Sequence, residues 1–264
     1  MVAISFMAGG IIQGLIILNE QTYVPEAWHG TLFIIGITAF SVVFNTLIAK
    51  KLPLVETLLL VLHVVGLFVT IIPLWVLAPR NSPKAVFTEF NNSGGWSSMG
   101  TSFMIGMATS MPSMLGYDSA VHMCKCSPRL KKVALSQNSL TKSAAEETKD
   151  ASRTLPKAIM MAVAVNGSLG FIMLVTLCFT MGDVNKALES GTGFPFIHVY
   201  YNATQNYAGT SIMVTLVIIS LTASVISDIA TSSRQIWSFA RDGGLPFSNL
   251  LSQVRWYNPS EQWS

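Results

Sequence analysis

Long apolar runs dominate the chain, and short polar segments separate them. Crossing the ~30 Å hydrocarbon core of a bilayer takes about 20 apolar residues in a helix. Six runs reach about that length: residues 1–18, 28–49, 54–77, 99–123, 158–181 and 209–230. Lipid cannot hydrogen-bond the backbone, so each run is predicted to be a helix, and the alternating strands of a membrane barrel are absent. The pattern predicts an all-α integral membrane protein with six transmembrane helices.

The composition supports a membrane protein. Of 264 residues, 51% are hydrophobic and 11% are charged, whereas a soluble domain carries about 25% charged residues. The first run has no basic start and no A-x-A cleavage site, so we interpret it as a span and not as a signal peptide. Because Met1 lies directly on apolar sequence, we expect the chain to begin within a longer protein.

The basic residues predict the orientation in the membrane. If the spans alternate, 13 Lys and Arg fall on one side, and only Arg80, Lys84 and Lys186 fall on the other. The basic side is cytosolic by the positive-inside rule. The loops at 50–53, 124–157 and 231–264 are therefore expected in the cytosol of a multi-pass protein of the plasma or vacuolar membrane. The sequons at Asn91 and Asn202 fall outside, and a net charge of +3 spread over three loops does not indicate nucleic-acid binding.

Neither metal nor enzyme chemistry is indicated. The three cysteines, Cys124, Cys126 and Cys178, cannot make a disulfide framework, and C-x-C without further ligands is a weak metal signal, so we interpret them as incidental thiols. No HExxH, GxSxG or Walker motif is present. We therefore predict no metal, no cofactor and no enzymatic activity.

Charge is costly within the runs and marks candidate functional positions. Four ionisable residues within the runs are taken as candidates: Glu56, His63, Asp118 and Asp228. Glu56 and Asp228 lie near cytosolic ends, where they are expected to face protein or to snorkel to the interface. His63 lies nine residues into its run, ~14 Å along a helix axis and near the middle of the bilayer. It shares a face with Glu56 and Thr70. Two interpretations stay open, a proton-carrying imidazole and a neutral histidine bonded to a neighbouring helix.

The fourth candidate, Asp118, lies in the stretch "SMPSMLGYDSAVHM". Pro112 removes a helical hydrogen bond and Gly116 weakens the next turn, so the helix is predicted to break near residues 111–116. In transporters such breaks expose backbone groups that bind substrate and ions. A simple proline kink is the alternative, but an unpaired carboxylate within a span favours a functional role.

Two runs carry stripes of small or polar residues. One face of the first run carries mostly small side chains, which predicts close helix packing. Its residues are Ala8, Gly9, Gly10, Gln13 and Gly14. Ser220, Ser224 and Ser227 recur at helical spacing in the sixth run, beside Thr222 and Asp228. The second stripe is consistent with a polar pathway.

Several stretches together resemble a known superfamily. "GYDSAVHM", "EETKDASRTLPKAI" and "ARDGGLPFS", in that order, resemble the amino acid–polyamine–organocation superfamily and within it the fungal branch of GABA, choline and amino-acid permeases. "YVPEAWHGTL" and "VETLLLVLHVVG" are similar to the same branch, and the resemblance covers residues 8–252 apart from one stretch. The signature residues are Glu146, Glu147, Pro156, Ala240, Arg241, Asp242 and Gly243.

The resemblance implies a LeuT-type inverted-repeat fold of twelve spans, of which the six runs match the third to the eighth. It implies substrate contacts at Ser113, Leu115, Gly116, Tyr117 and Asp118, to which the polar stripe adds Thr222 and Ser224 as candidates. It also implies proton coupling through His63 and Asp118. The partners would be the lipid bilayer, a small amino-containing solute and protons.

These features lead to one main functional hypothesis. The chain would belong to a proton-coupled secondary transporter of amino acids or related amines such as GABA and choline. The family's first two and last four spans have no counterpart here, so we expect a truncated chain that is inactive alone. The alternative is a non-transporting membrane protein that only associates with other helices. A receptor or an enzyme is a third, less favoured class.

One stretch departs from the resemblance. Such permeases run almost directly from H-M to E-E, whereas 22 residues lie between Met123 and Glu146 here. Residues 124–145 have no helical or strand periodicity, and their possible codons include splice donor and acceptor sequences, so we interpret this cytosolic loop as containing a translated intron. A basic regulatory loop that binds anionic lipid is the alternative. The tail at 254–264 is also atypical.

Overall fold

The computed structural model describes residues 1–20, 22–48, 52–90, 92, 94–110 and 151–252. The predicted break at 111–116, the interpreted intron in 124–145 and the tail at 254–264 lie outside the described residues. The helices of the described part are α1 (Val2–Asn19), α2 (Ala27–Leu47), α3 (Leu52–Leu77), α4 (Pro83–Thr88), α5 (Met99–Ser110), α6 (Ala151–Thr180), α7 (Val184–Leu188), α8 (Pro195–Thr204), α9 (Tyr207–Arg241) and α10 (Ser248–Leu251).

Five of these helices, α1, α2, α3, α6 and α9, are long and apolar enough to cross a membrane. At most 28% of the residues in the apolar window of each are buried, so most apolar side chains point outwards, as a lipid environment requires. Five of the six predicted spans are thus found. The fourth run begins with the shorter α5, whose apolar part is Met99–Ala108, and its remainder lies outside the described residues.

Two predicted loops are partly helical. The segments predicted to be cytosolic, 124–157 and 231–264, contain helix where the structure is described, because α6 already begins at Ala151 and α9 continues to Arg241. Hydrocarbon thickness limits the length of an apolar run, but it does not end a helix whose polar continuation reaches water. No Pro or Gly follows in α9 until Gly243, which stops the helix.

The chain divides into two compact units. One contains residues 1–117 and 160–228, and the described part of the other contains residues 151–159 and 229–252. In the first unit the C-terminal ends of α1, α3 and α6 lie with α8 and the start of α9. Their shared core, which we call the α8 end, contains Ile11, Leu74, Ile197, Val199, Tyr200, Ala203, Met213 and Val214. Helices α1, α3 and α6 therefore run opposite to α9, as alternating spans require.

The glycine stripe of α1 packs closely, as predicted. A Cβ on Gly9 would meet Phe33 Cβ of α2 at 3.3 Å, and one on Gly14 would meet the carbonyl oxygen of Thr192 at 2.8 Å. A Cβ on Gly10 would lie 2.9 Å from the ring of Phe194. The missing side chains let α1 approach α2 on one side and the segment before α8 on the other.

Candidate functional site

The inner face of α3 carries the first candidate, His63. At 100° per residue, positions 52, 56, 63, 70 and 74 share an arc of about 40°. Leu52, Thr70 and Leu74 on this arc are 2%, 5% and 0% exposed. Glu56 is half-buried, whereas the His63 side chain is exposed. His63 is therefore an uncovered polar group in the middle of a face that is otherwise packed.

His63 makes no hydrogen bond within the described part of the chain. This differs from the interpretation of a neutral histidine bonded to a neighbouring helix, for which the described residues offer no partner. Next to it, Thr70 is satisfied locally, because its hydroxyl donates to the carbonyls of Gly66 and Leu67 at 3.0 and 2.8 Å. The imidazole thus remains free to meet a group that the described residues do not supply.

Glu56 lies at one end of this face and forms a hydrogen bond with another helix. Its Oε1 accepts a hydrogen bond from Ser227 Oγ of α9 at 2.6 Å. Glu56 thus faces protein, which is one of the two outcomes expected for it from the sequence. A carboxylate in a partly apolar setting is stabilised by a hydrogen bond, and the serine stripe supplies the donor.

The turn of α9 around Ser227 is contacted by two other helices. Asn45 Nδ2 of α2 donates to the carbonyl oxygen of Ile226 at 2.9 Å and to that of Ser41 at 3.0 Å. Polar contacts to residues 226 and 227 thus join α2 and α3 to one turn, at the opposite end from α8. Sequence reasoning missed Asn45, whose only signal was a polar amide near the end of an apolar run.

The rest of the serine stripe does not form a chain of hydrogen bonds between helices. The hydroxyls of Ser220, Thr222 and Ser224 each donate to a carbonyl one turn earlier in α9, at 2.9, 2.8 and 3.0 Å. Such bonds satisfy a hydroxyl within its own helix. Ser224 is exposed and Thr222 is half-buried. Among the three, Ser224 can therefore still accept a hydrogen bond from an outside group.

At the α8 end, α3 is fixed to α6. Trp75 Nε1 donates to Thr176 Oγ1 at 2.9 Å, and the Trp75 ring lies 6.2 Å from that of Phe179. Arg80 lies over the other side of Trp75, with its guanidinium carbon 5.0 Å from the ring centroid. The backbone N–H of Asn81 donates to the carbonyl of Phe179 at 2.8 Å. Helix α3 is thus held at both ends, with His63 between the two attachments.

The described part of the predicted signature ends a helix. Gly243 has φ +76°, and its N–H donates to the carbonyl of Ala240 at 3.0 Å. The N–H of Gly244 donates to the carbonyl of Phe239, also at 3.0 Å. This pair of bonds is a Schellman motif, which needs a left-handed residue that glycine adopts without strain. Arg241 and Asp242 complete the last turn, with a 3.5 Å ion pair between them.

Several predicted residues cannot be located. Ser113, Leu115, Gly116, Tyr117 and Asp118 lie outside the described residues, as do Glu146 and Glu147. Of the substrate candidates only Thr222 and Ser224 are placed, and of the coupling candidates only His63. Pro156 lies inside α6. Within the described residues, no group of three or more His, Cys, Asp or Glu could hold a metal ion.

Comparisons with known proteins agree with the resemblance found in the sequence. The family model described as "Amino acid permease" matches residues 1–260. A choline transporter of Saccharomyces cerevisiae is 30% identical over 247 residues, which are 92% of this chain and 40% of the relative. An uncharacterized amino-acid permease of Schizosaccharomyces pombe is 28% identical over 92% of this chain and 41% of its own.

A plant relative extends the range of organisms. The amino-acid permease BAT1 of Arabidopsis thaliana is 25% identical over 96% of this chain and 48% of its own length. The chain thus spans less than half the length of each of these three relatives. No solved structure matches it. The predicted resemblance is confirmed, and membership of a permease family agrees with the prediction that the chain is not an enzyme: this chain belongs to the amino acid permease family, in the fungal branch of the amino acid–polyamine–organocation superfamily.

Proposed function

We propose that the chain is part of a proton-coupled secondary transporter of amino acids or related amines, with GABA and choline among the candidate substrates. The family match and the names of the relatives, a choline transporter and amino-acid permeases, support this class of solute. The five long apolar helices provide the membrane setting. A small amino-containing solute, protons and the lipid bilayer are the partners.

The observation that carries the proposal is the exposed His63 on the packed face of α3. A histidine can change its charge between about pH 5 and 8, and a membrane-embedded ionisable group is a default functional candidate. An imidazole whose neighbours at 70 and 74 are 5% and 0% exposed is not placed there for packing alone. We propose that it carries the coupled proton together with Asp118.

Substitution in the full-length parent tests this role. His63→Ala and Asp118→Asn should each reduce solute uptake and remove its dependence on external pH, while membrane insertion stays intact. Val61→Ala is the matched control, because Val61 lies on the same helix, is apolar and is 58% exposed. If both variants keep the pH dependence of the parent, His63 and Asp118 are not coupling residues.

We also propose a LeuT-type arrangement in which the chain supplies the third to eighth spans. The ends of the helices would then alternate, with residues 50–53, 124–157 and 231–264 on the cytosolic side of a plasma or vacuolar membrane. Single cysteines placed at Lys84 and at Arg234, in a cysteine-free background, test the orientation. A membrane-impermeant thiol reagent should label the first in intact cells and the second only after permeabilisation, and the reverse pattern contradicts the proposal.

The 264-residue chain expressed alone is proposed not to transport. An exposed polar group such as His63 would face lipid, where an unsatisfied group costs several kcal/mol. The chain would then only associate with other helices. Purified chain in liposomes should show no saturable uptake of labelled amino acids, GABA or choline, whereas the full-length parent should. Saturable uptake by the chain alone would disprove this statement without affecting the class of solute.

A further inference from the structure

A second histidine, His29, is enclosed by polar and aromatic groups in the connection between α1 and α2. Its Nδ1 lies 2.8 Å from the hydroxyl of Tyr23, and the two rings are stacked with centroids 5.3 Å apart. The ring of Trp28 approaches to a centroid distance of 4.0 Å. Nothing in the transport proposal uses this group, although it lies within the stretch "YVPEAWHGTL" that the sequence analysis singled out.

His29 also closes the N-terminus of α2. Glu26 is the N-cap residue, its side chain faces the backbone of His29 in the pattern of a capping box, and the backbone N–H of His29 donates to the carbonyl oxygen of Glu26 at 3.1 Å. In return, the backbone N–H of Glu26 donates to His29 Nδ1 at 3.4 Å. This is the reciprocal pattern of a capping box, in which Glu or Gln normally fills the position that histidine fills here. The replacement makes the cap depend on an imidazole.

The donor in this bond determines the protonation state. A backbone N–H can only donate, so Nδ1 must offer its lone pair, and the proton of the neutral ring lies on Nε2. Protonation of Nδ1 removes the acceptor and sets two N–H groups against each other. It also adds positive charge at a helix N-terminus, where the helix dipole disfavours it. Acid therefore opens this cap, whereas a glutamine in the same position would not titrate.

The neighbours of His29 connect the cap to α1. Gln13 Nε2 of α1 donates to the hydroxyl of Tyr23 at 3.4 Å and to the carbonyl oxygen of Glu26 at 3.5 Å. Trp28 Nε1 donates to Glu26 Oε2 at 2.5 Å. Within the described residues, the titratable groups against His29 are the Tyr23 phenol and the Glu26 carboxylate, and α1 contributes the neutral amide of Gln13. The Glu26 carboxylate is engaged by the Trp28 indole.

We propose that His29 is a proton-binding site that controls the junction between α1 and α2. With neutral imidazole, the capping box is closed and Tyr23 is held between Gln13 and the ring. Binding of a proton at Nδ1 breaks the bond from Glu26 N–H, rotates the Tyr23 hydroxyl into the role of acceptor, and loosens the first turn of α2. The site senses pH on the membrane side that holds the α8 end, because Gly14, next to Gln13, contacts the segment before α8.

Two readouts on the purified 264-residue chain in lipid nanodiscs test the site between pH 8 and pH 5. A protonated imidazole quenches a neighbouring indole, so tryptophan fluorescence should fall with acid. The amide of Glu26 should exchange its hydrogen about five-fold faster at pH 5 than at pH 8 after correction for the intrinsic rate, which matches the loss of a typical helix cap. Neither readout depends on transport, so they can fail or succeed independently of the transport proposal.

Matched variants assign the effect to one residue. His29→Gln keeps an acceptor for the cap and should abolish both pH dependences. Trp28→Phe should remove the fluorescence change but keep the exchange change. His198→Gln is the control, because His198 of α8 bonds only Asn202 among the described residues, at 2.9 Å, and both changes should persist in it.

A third measurement holds even if a variant does not fold. Nitrogen NMR of the histidine-labelled wild-type chain should show His29 at pH 8 with the proton on Nε2 and a bare Nδ1. A proton on Nδ1 at pH 8, a pH-independent Glu26 amide in the wild type, or an undiminished fluorescence change in His29→Gln would each overturn the proposal.

Discussion

Replacing Gly14 with alanine adds one methyl group where α1 meets the segment before α8. The added Cβ would lie 2.8 Å from the carbonyl oxygen of Thr192 and 3.0 Å from Ile197 Cδ1. Ordinary carbon-to-carbonyl contacts are about 3.3–3.6 Å. The helix must therefore withdraw by roughly half an ångström from a backbone atom, which cannot rotate away as a side-chain tip can. Gly14→Ala is expected to destabilise the α8 end.

Two opposing terms set the size of the effect. Alanine is a better helix former than glycine by about 1 kcal/mol, and overpacking a filled site costs about 1–3 kcal/mol. Gly36 of α2 provides the matched control, since no atom lies within 4 Å of its added Cβ. Both variants gain the helix term, so the difference between them isolates the overpacking. We expect Gly14→Ala to be less stable than Gly36→Ala by about 1–3 kcal/mol.

Reversible unfolding in mixed micelles measures this difference, with helical circular dichroism followed as denaturing detergent replaces the mild one. Because Gly10 faces a movable Phe194 ring at 2.9 Å, Gly10→Ala should fall between the two. If Gly14→Ala is as stable as Gly36→Ala, the carbonyl of Thr192 does not limit the approach of α1, and the explanation of the glycine stripe by close packing is wrong.

Three further predictions concern a hydrogen bond between two helices, a buried tyrosine and the transcript. A double-mutant cycle with Glu56→Leu and Ser227→Ala should give a coupling energy of about 0.5–2 kcal/mol, whereas Glu56→Leu with Ser224→Ala should give nearly none. Burial raises the pKa of Tyr200 from 10.0 to about 12. The neutral phenol therefore stabilises the fold fully below pH 10, and up to about 2.7 kcal/mol of the free energy of unfolding is lost as the pH rises towards 12. Unfolding curves at alkaline pH should show this loss in the wild type and not in Tyr200→Phe. Sequencing of the transcript should find a mature message without most of residues 124–145, and a message that always keeps them, with no donor or acceptor codons, rules out the intron.

The long helices could be predicted because lipid imposes a simple rule. Apolar length alone located α1, α2 and α3 to within two residues at each end. The same rule said nothing about where helices end in water. Helix α9 extends 11 residues past its apolar run, to the Schellman motif at Gly243, and only the turn chemistry of glycine carries that information.

The polar contacts were only partly predictable, for a related reason. A carboxylate near the end of a span can snorkel or can bond a neighbouring helix, and the sequence of one helix does not distinguish the two. Glu56 bonds Ser227, which is 171 positions away in the chain. Asn45 was overlooked because an amide at the end of an apolar run is also common at an interface. Helical spacing did group Glu56, His63 and Thr70 on one face, since that depends on local geometry alone.

Contacts at both ends of α3 restrict how the helix can move and therefore keep His63 exposed. Trp75 and Asn81 fix one end to α6, and Glu56 fixes the other to α9. A helix held at both ends cannot slide along its axis or rotate by the ~100° that would bury the imidazole and expose a neighbour. Any group that covers His63 must therefore come to it. If the Glu56–Ser227 bond were released, the lower half of α3 could move away from α9 while the clamp at Trp75 held. The position of His63 relative to α9 then depends on the Glu56–Ser227 bond, and substitution of Ser227 should alter that position even though Ser227 does not touch the imidazole.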